Sequence, residues 1–336
     1  MAVKAAIVGL GRIASLLEDD GRREKPCTHA GAVAAVSGLI LAAGADTDEE
    51  RRRLFAARWG VPVYGDVETM LREERPRILH IATHPDSHWR YCSMAARYGL
   101  SVAVCEKPLA DTLGAAKKIA ALHGSGNMTI LVNHERRYAA DYHRARGILA
   151  EGGLGLLAGV RGILYMGKTR RLVDVLWHDG THLADAAMFL TGAALKHRRT
   201  IRGSGADLGG RSGTVYLEGI LENPRVPAVP GPLPFVMELG AGRDHLVFEI
   251  ECSCSGGRLR IGNGIFEVWK SRESPYAEGF RSLEKTEEGF TGPTGYFTSM
   301  AADALACALD RTRLPLSSAL DGLRAIRYLR SVRSWR

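Results

Sequence analysis

Through the first 132 residues, short apolar runs alternate with stretches of helical period. Val3–Val8, Leu39–Asp46, Val61–Tyr64, Arg77–Ala82, Ser101–Cys105 and Thr129–Val132 read as strands. Ala30–Val36, Glu49–Trp59, Val67–Glu74, Trp89–Tyr98 and Ala110–His123 read as the helices between them. Six such alternations predict an α/β unit, a doubly wound parallel sheet over residues 1–132.

The pattern then changes. Asn133-His134-Glu135-Arg136-Arg137-Tyr138 leads into a helix through about Ala150, which Gly152 and Gly153 stop. Leu157–Met166 reads as a strand, and Trp177–Leu190 as a polar-headed helix ended by Gly192. Alternating strands follow at Arg211–Leu221, Phe235–Leu239, Leu246–Ser253, Arg258–Ile261 and Ile265–Lys270, with a proline-rich loop at Arg225–Pro234. Residues 272–295 show no period, and Phe297–Leu309 and Leu320–Arg333 close the chain as helices. Residues 133–336 are therefore expected to form an α+β domain with a mostly antiparallel sheet.

Composition changes this picture little. The 336 residues are 46% apolar and 24% charged, which suits two globular domains. No apolar run approaches the roughly 20 residues that span a bilayer. The first strand starts almost at once, without signal-peptide architecture, so a soluble, cytoplasmic protein with no membrane partner is expected. Six cysteines lack paired zinc spacing; Cys252 and Cys254 would share a strand face, and reduced thiols fit them better than a disulfide or metal. The net charge of +8 comes from scattered arginines. It could draw in an anionic substrate, but an arginine-rich composition with no such target is the safer reading, and no motif for nucleic acid accompanies it.

Candidate chemistry gathers at the strand ends. Gly9-Leu10-Gly11-Arg12-Ile13-Ala14 follows the first strand as a GxGxxG/A fingerprint: a tight turn, close backbone approach to a pyrophosphate, and a helix packed near the sheet. A helix N-terminus is expected directly after it. A charged insertion, Glu18–Pro26, interrupts that stretch, and Thr28 can cap a new helix. His29 either lines the cleft or merely occupies the first turn. Asp46 ends the second strand, where a carboxylate accepts hydrogen bonds from ribose hydroxyls and favours NAD. Capping of the next helix is the competing role, and Arg51–Arg53 keep NADP possible. Thr83, His84 and His88 border the same edge. There the strand Val102–Cys105 runs into Glu106-Lys107-Pro108, and proline ends it.

These motifs resemble the family named for glucose–fructose oxidoreductase, inositol dehydrogenase and the rhizopine-catabolism protein (Gfo/Idh/MocA). The resemblance runs through Gly9–Ala14, Ile81–His88, Cys105–Pro108, Val132–Arg137, Gly180-Thr181-His182-Leu183-Ala184-Asp185 and Leu320–Arg324. It implies a Rossmann domain, a nicotinamide cofactor, a sugar- or cyclitol-like substrate, and a homodimer or homotetramer. By the same resemblance Lys107 and His182 handle the proton, and Asn133, Arg137, His178 and Asp179 are the candidates to line the substrate pocket; merely pairing with an acid is the competing role for Arg137. The family commonly has an acid four residues before the histidine. Here His178 holds that place and Asp179 follows it. On a regular helix one residue is a rotation of about 100°, so either His178 contacts the substrate or the turn is distorted at Gly180. The HxxxH spacing of His178 and His182 also imitates a zinc motif, but it lacks the glutamate and a third ligand, so no metal is expected. Other members imply two alternatives: glycoside cleavage through transient oxidation, and a non-catalytic nucleotide sensor.

Overall fold

The computed structural model describes residues 2–168, 170–203, 206–207 and 209–331. The chain divides into two compact units, residues 1–139 with 293–323, and residues 140–292 with 324–336. Among the described residues no helix is long and apolar enough to cross a membrane.

In the first unit, β1 (Val3–Val8), β2 (Leu39–Ala45), β3 (Val63–Tyr64), β4 (Ile78–Ile81), β5 (Val102–Cys105) and β6 (Thr129–Val132) form one parallel sheet ordered β3-β2-β1-β4-β5-β6. α1 (His29–Ala35), α2 (Glu49–Trp59), α3 (Val67–Glu74), α4 (His88–Arg97) and α5 (Leu113–Gly124) connect the strands. Thr112 caps α5 by accepting from the Ala115 amide, which is why this helix begins three residues later than its apolar pattern suggests. One row of the sheet reads Ala45, Val8, Ile81, Cys105, Val132. Its register sends Gly9, Asp46, Ala82, Glu106 and Asn133 out together at the carboxyl edge, where open α/β sheets bind ligands.

The stretch after the fingerprint corrects the expected helix. Residues 12–15 form a turn and Leu16–Asp19 a short 3₁₀ segment, with no α-helix before His29. The amides of His29 and Ala30 donate to the carbonyls of Ile13 and Ala14, at 3.1 and 3.0 Å. The insertion thus splits one helix, and α1 resumes where the turn stopped. Thr28 caps α1 as its sequence suggests, accepting from the Gly31 amide and donating to Glu18 Oε1.

The second unit is built on an eight-stranded sheet ordered β14-β13-β12-β11-β7-β10-β9-β8. Its strands are β7 (Leu157–Met166), β8 (Ala194–Arg202), β9 (Gly213–Glu222), β10 (Leu233–Ala241), β11 (Val247–Cys254), β12 (Gly257–Gly262), β13 (Ile265–Glu273) and β14 (Arg281–Glu288). Among the described residues only the β7–β10 strand pair of this sheet is parallel. The unit also holds α6 (Ala140–Ala150), the single turn α7 (Leu172–Asp174) and α8 (Gly180–Thr191). α8 lies on the sheet so closely that a Cβ on Gly162 would stand 2.7 Å from Leu183. The two edge strands, β8 and β14, escape the sequence reading. Cys252 and Cys254 are free thiols.

α9 (Tyr296–Leu309) belongs to the first unit, where Phe297, Met300 and Ala304 share a core with Ala32 and Val33 of α1. α10 (Ala319–Arg330) closes the chain; residues 332 and 333, expected in this helix, lie outside the described residues. The insertion is fastened to α9. Glu24 accepts from the amides of Thr294 and Gly295 and from the Thr294 hydroxyl, at 2.6–2.8 Å. Burial pushes its carboxyl upward, but these three donors prevail and hold it below its ordinary value.

A carboxyl depressed in the folded state stabilises above its unfolded value and stops doing so as pH falls through the folded one. Glu24→Gln should therefore lower stability at pH 7 by roughly 1–2 kcal/mol. The deficit should shrink toward zero below about pH 4. Urea midpoints at both pH values check this, and a deficit constant with pH would contradict the charge-based anchor.

Candidate active site

Five strand ends build the carboxyl edge of the first unit. Gly9 has φ +84°, and a Cβ there would sit 2.8 Å from Thr83 Cγ2 and 2.9 Å from the Ala82 carbonyl, so only glycine fits. Above Gly11 the space is open, the nearest atom to a Cβ being Arg51 Nη1 at 3.9 Å. Arg12 is exposed and Ile13 half-buried against the core. Asp46, 8% exposed at its side chain, accepts from the Leu10 amide at 2.8 Å and the Asp48 amide at 3.0 Å. It is not the cap of α2: Asp48 is, accepting from the Arg51 amide. Arg51 lies 3.7 Å from Asp46, whereas Arg52 donates to main-chain carbonyls and Arg53 pairs with Glu50.

The next two loops are tied by one imidazole. Fully buried His88 faces the Leu109 carbonyl with Nδ1 at 3.2 Å and the Thr83 carbonyl with Nε2 at 3.1 Å. Burial pulls its pKa below the ordinary histidine value, against the opposing pull of those carbonyls. Thr83 is half-buried and bonds Ser87, and His84 is exposed.

Glu106 is the centre of this edge. Its Oε1 meets His29 Nε2 at 2.9 Å and accepts from Asn133 Nδ2 at 2.6 Å; its Oε2 accepts from the Lys107 amide at 3.3 Å. His29 in turn meets His80 through Nδ1 on both sides, at 2.9 Å. All four side chains are buried. Desolvation raises the Glu106 carboxyl, but the bond from His29, the charge that His29 carries when doubly protonated, the positive charge of Lys107 and the Asn133 amide together outweigh it, and it stays below its ordinary value. His80 is driven well below the histidine value, first by burial and then by the charge His29 carries whenever it is doubly protonated. Of the two roles open to His29, the structure shows the first turn of α1; the ring is fully buried and reaches Glu106 at the strand edge. His80 was missed by the sequence reading; a histidine inside the apolar strand Ile78–Ile81 is the signal that marks it.

Lys107 is half-buried and follows Glu106 directly. Asn133 spends its amide donor on Glu106, leaving Oδ1 without a partner among the described residues. Arg137 is buried, 3.3 Å from Asp321, and donates to the Leu316 carbonyl.

In the second unit, Val175–Asp179 form a π turn, with the Gly180 amide donating to the Val175 carbonyl. Gly180 itself is regular helix at φ −62°, so the distortion lies just before it. A π turn takes up one extra residue, so positions before Gly180 do not follow the α-helical wheel back from His182. His178 and His182 are half-buried, and the His182 ring stands edge-on to Phe248, 6.5 Å between centroids. Asp179 is buried, and its Oδ2 has no hydrogen-bond partner among the described residues.

The first unit thus has the strand order, fingerprint and acidic second-strand end of dinucleotide-binding folds. Residues 3–134 match the family model described as "Oxidoreductase family, NAD-binding Rossmann fold" (GFO_IDH_MocA). An inositol 2-dehydrogenase from Streptomyces avermitilis is 33% identical over 302 residues, 80% of this chain and 84% of that protein. The chain belongs to the Gfo/Idh/MocA family. A D-apiose dehydrogenase from Paraburkholderia graminis is 28% identical over 170 residues, 47% of this chain and 44% of that protein. The chain spans less than half the length of this and other curated relatives it matches, 41% and 37% in two further cases. Among solved structures, an Agrobacterium radiobacter oxidoreductase in complex with NAD+, L-tartaric acid and magnesium shares the fold. Its TM-score is 0.70 at 19% identity, covering 98% of this chain and 95% of that one.

Gly9→Ala should force both a positive φ and a 2.8 Å clash with Thr83. Strain of this kind costs about 1–3 kcal/mol. A drop of that size in the urea-unfolding free energy is the expected result, and an unchanged midpoint would show that the loop relaxes freely.

Proposed function

We propose that this protein is a nicotinamide-dependent oxidoreductase that interconverts a secondary alcohol and a ketone on a sugar, cyclitol or sugar nucleotide. NAD is the preferred cofactor. The observation that carries this is the shared strand edge, where the glycine turn, Asp46 and Glu106-Lys107 leave in one register. The names of the relatives, dehydrogenases of inositol and D-apiose, and the NAD+ held by a protein of like fold support the same class.

The residues present suit the cofactor. The open space over Gly11 admits a pyrophosphate, and Asp46 carries a carboxylate that would meet the ribose hydroxyls. When bound, the nicotinamide supplies hydride acceptance and donation. The chain must then manage the hydroxyl proton. Lys107, fixed through its main chain to a buried carboxylate, orients that hydroxyl or takes part in removing its proton. His182 is assigned as the base from the resemblance of its helix to the family's; an imidazole titrating near 6.5 in water suits that task. For the remaining substrate contact we favour Asp179 over His178. The π turn removes the helical-wheel objection to it, and its buried carboxylate oxygen lacks a donor that a substrate hydroxyl would supply.

Titration calorimetry should find NAD bound more tightly than NADP, with Asp46→Ser narrowing the gap. Arg51 beside Gly11 is the residue through which stronger NADP binding would arise, and that result would overturn the preference.

Dehydrogenase assays with inositols, pentoses and sugar nucleotides test the reaction. Lys107→Ala should leave NAD affinity within a few-fold and lower turnover about 10²-fold or more. Asp179→Asn should cripple turnover while His178→Asn stays mild. The reverse pair of results would return the substrate contact to His178.

A further inference from the structure

Glu106, Asn133, His29 and His80 form one buried chain of hydrogen bonds, which leaves little freedom in where the protons sit. His29 is faced by His80 of β4, by Glu106 after β5 and by the edge of Phe297 of α9, ring centroids 5.5 Å apart. Glu106 is faced by His29, Asn133 and Lys107, and its charge reaches His88 of α4. A carboxylate only accepts, so the proton between His29 and Glu106 is on His29 Nε2. The contact between the two Nδ1 atoms then holds a single proton, and two arrangements remain. If His29 donates it, His29 is an imidazolium and His80 carries its own proton on Nε2. That Nε2 is fully buried and has no partner among the described residues, so this arrangement strands an N–H. If His80 donates it, only a lone pair goes without a partner, and stranded buried N–H groups are the rarer and costlier defect.

We propose that His80 and His29 are positioning residues. They form a donor chain from His80 Nδ1–H to His29 Nδ1 and from His29 Nε2–H to Glu106 Oε1, which keeps His29 neutral and the Glu106 charge uncancelled beside Lys107. The chain runs inward from β4, with its far end sealed at His80 Nε2. Its consequence for catalysis rests on the role given to Lys107 above. With the His80 donor gone, Nδ1 of His29 is open to a second proton, and an imidazolium there would cancel the counter-charge next to Lys107.

Long-range ¹H–¹⁵N spectra of ring-labelled histidines, assigned with His29→Asn and His80→Asn, read the protons directly and need no substrate. In the wild-type protein the expected pattern from pH 6 to 8 is a proton on Nε2 alone in His29 and on Nδ1 alone in His80. His80→Leu should let His29 gain a second proton within that range. His80→Asn, whose amide N–H can occupy the place of Nδ1–H, should restore the single-proton form. In the same series kcat/KM of His80→Leu should fall from pH 8 to pH 6 by at least tenfold more than that of the wild type and His80→Asn, whose profiles carry only the limb expected of the His182 base. A doubly protonated wild-type His29, or a wild-type His80 protonated on Nε2, overturns the donor chain. A His80→Leu profile parallel to the wild type overturns its action on Lys107. Should no dehydrogenase activity exist, the function proposed above falls, and the spectra still decide the relay; they do so on wild-type protein and His80→Asn even where His80→Leu fails to fold.

Discussion

The first unit depends on one buried negative charge. An ionised carboxylate out of water costs several kcal/mol unless donors converge on it. At Glu106 each donor arrives from a different element: His29 from α1, Asn133 from the end of β6, and the Lys107 amide from the turn itself. The arrangement therefore requires that β4, β5 and β6 hold their register and that α1 begin where it does. Slipping β6 by one residue would remove Asn133 from the row that places it opposite Glu106. Strand register and site chemistry are here the same constraint.

The charged insertion bears on that constraint. Without it, the chain after Ala14 would run on as one helix. Instead residues 15–28 leave the helix and return, and the amides of His29 and Ala30 take the carbonyls of Ile13 and Ala14. The detour is knitted by charge-assisted bonds: Glu18 to Cys27 and Thr28, Lys25 to the carbonyls of Leu17 and Asp20, and Glu24 to the start of α9. A Cβ on Gly31 would lie 2.3 Å from Glu18 Oε1, so the insertion packs against α1 with no room to spare. These contacts place His29 at a helix start, pointing a first-turn side chain at the strand edge.

Much of this was legible beforehand, for physical reasons. Strands buried in a parallel sheet are short and apolar, and the fingerprint, Asp46 and Glu106-Lys107-Pro108 each sit where such a strand ends. What escaped the sequence reading was set by context. β8 and β14 are edge strands dense in charge, as edges must be to resist further pairing. In β14, Lys285 reaches Glu267 and Glu288, and its ammonium lies 5.1 Å from the Trp269 ring, a pattern that reads as loop without its neighbour. α9 reads as part of the second half, because nothing local tells that Phe297 and Met300 pack with α1. The link between His29 and His80 spans 51 residues and has no spacing signature. The π turn has none either, since its extra residue shows only in the hydrogen bonds.

Two acids in this chain differ in how far the protein itself satisfies them. Glu106 has both oxygens engaged by the protein, and a group so satisfied has little left to offer a ligand; its influence passes through charge and through the main chain of Lys107. Asp179 is comparably buried, yet one of its oxygens has no donor among the described residues. An unmet buried acceptor of this kind carries a desolvation cost of about 1–3 kcal/mol, and a polar ligand that donates to it recovers that cost on binding. The same logic ranks Asp46, whose carboxylate already holds the fingerprint loop through the Leu10 amide and still has acceptor capacity on both oxygens. On the proposed function, the satisfied charge at Glu106 is scaffold, and the acceptor capacity left at Asp179 and Asp46 is where a ligand would donate.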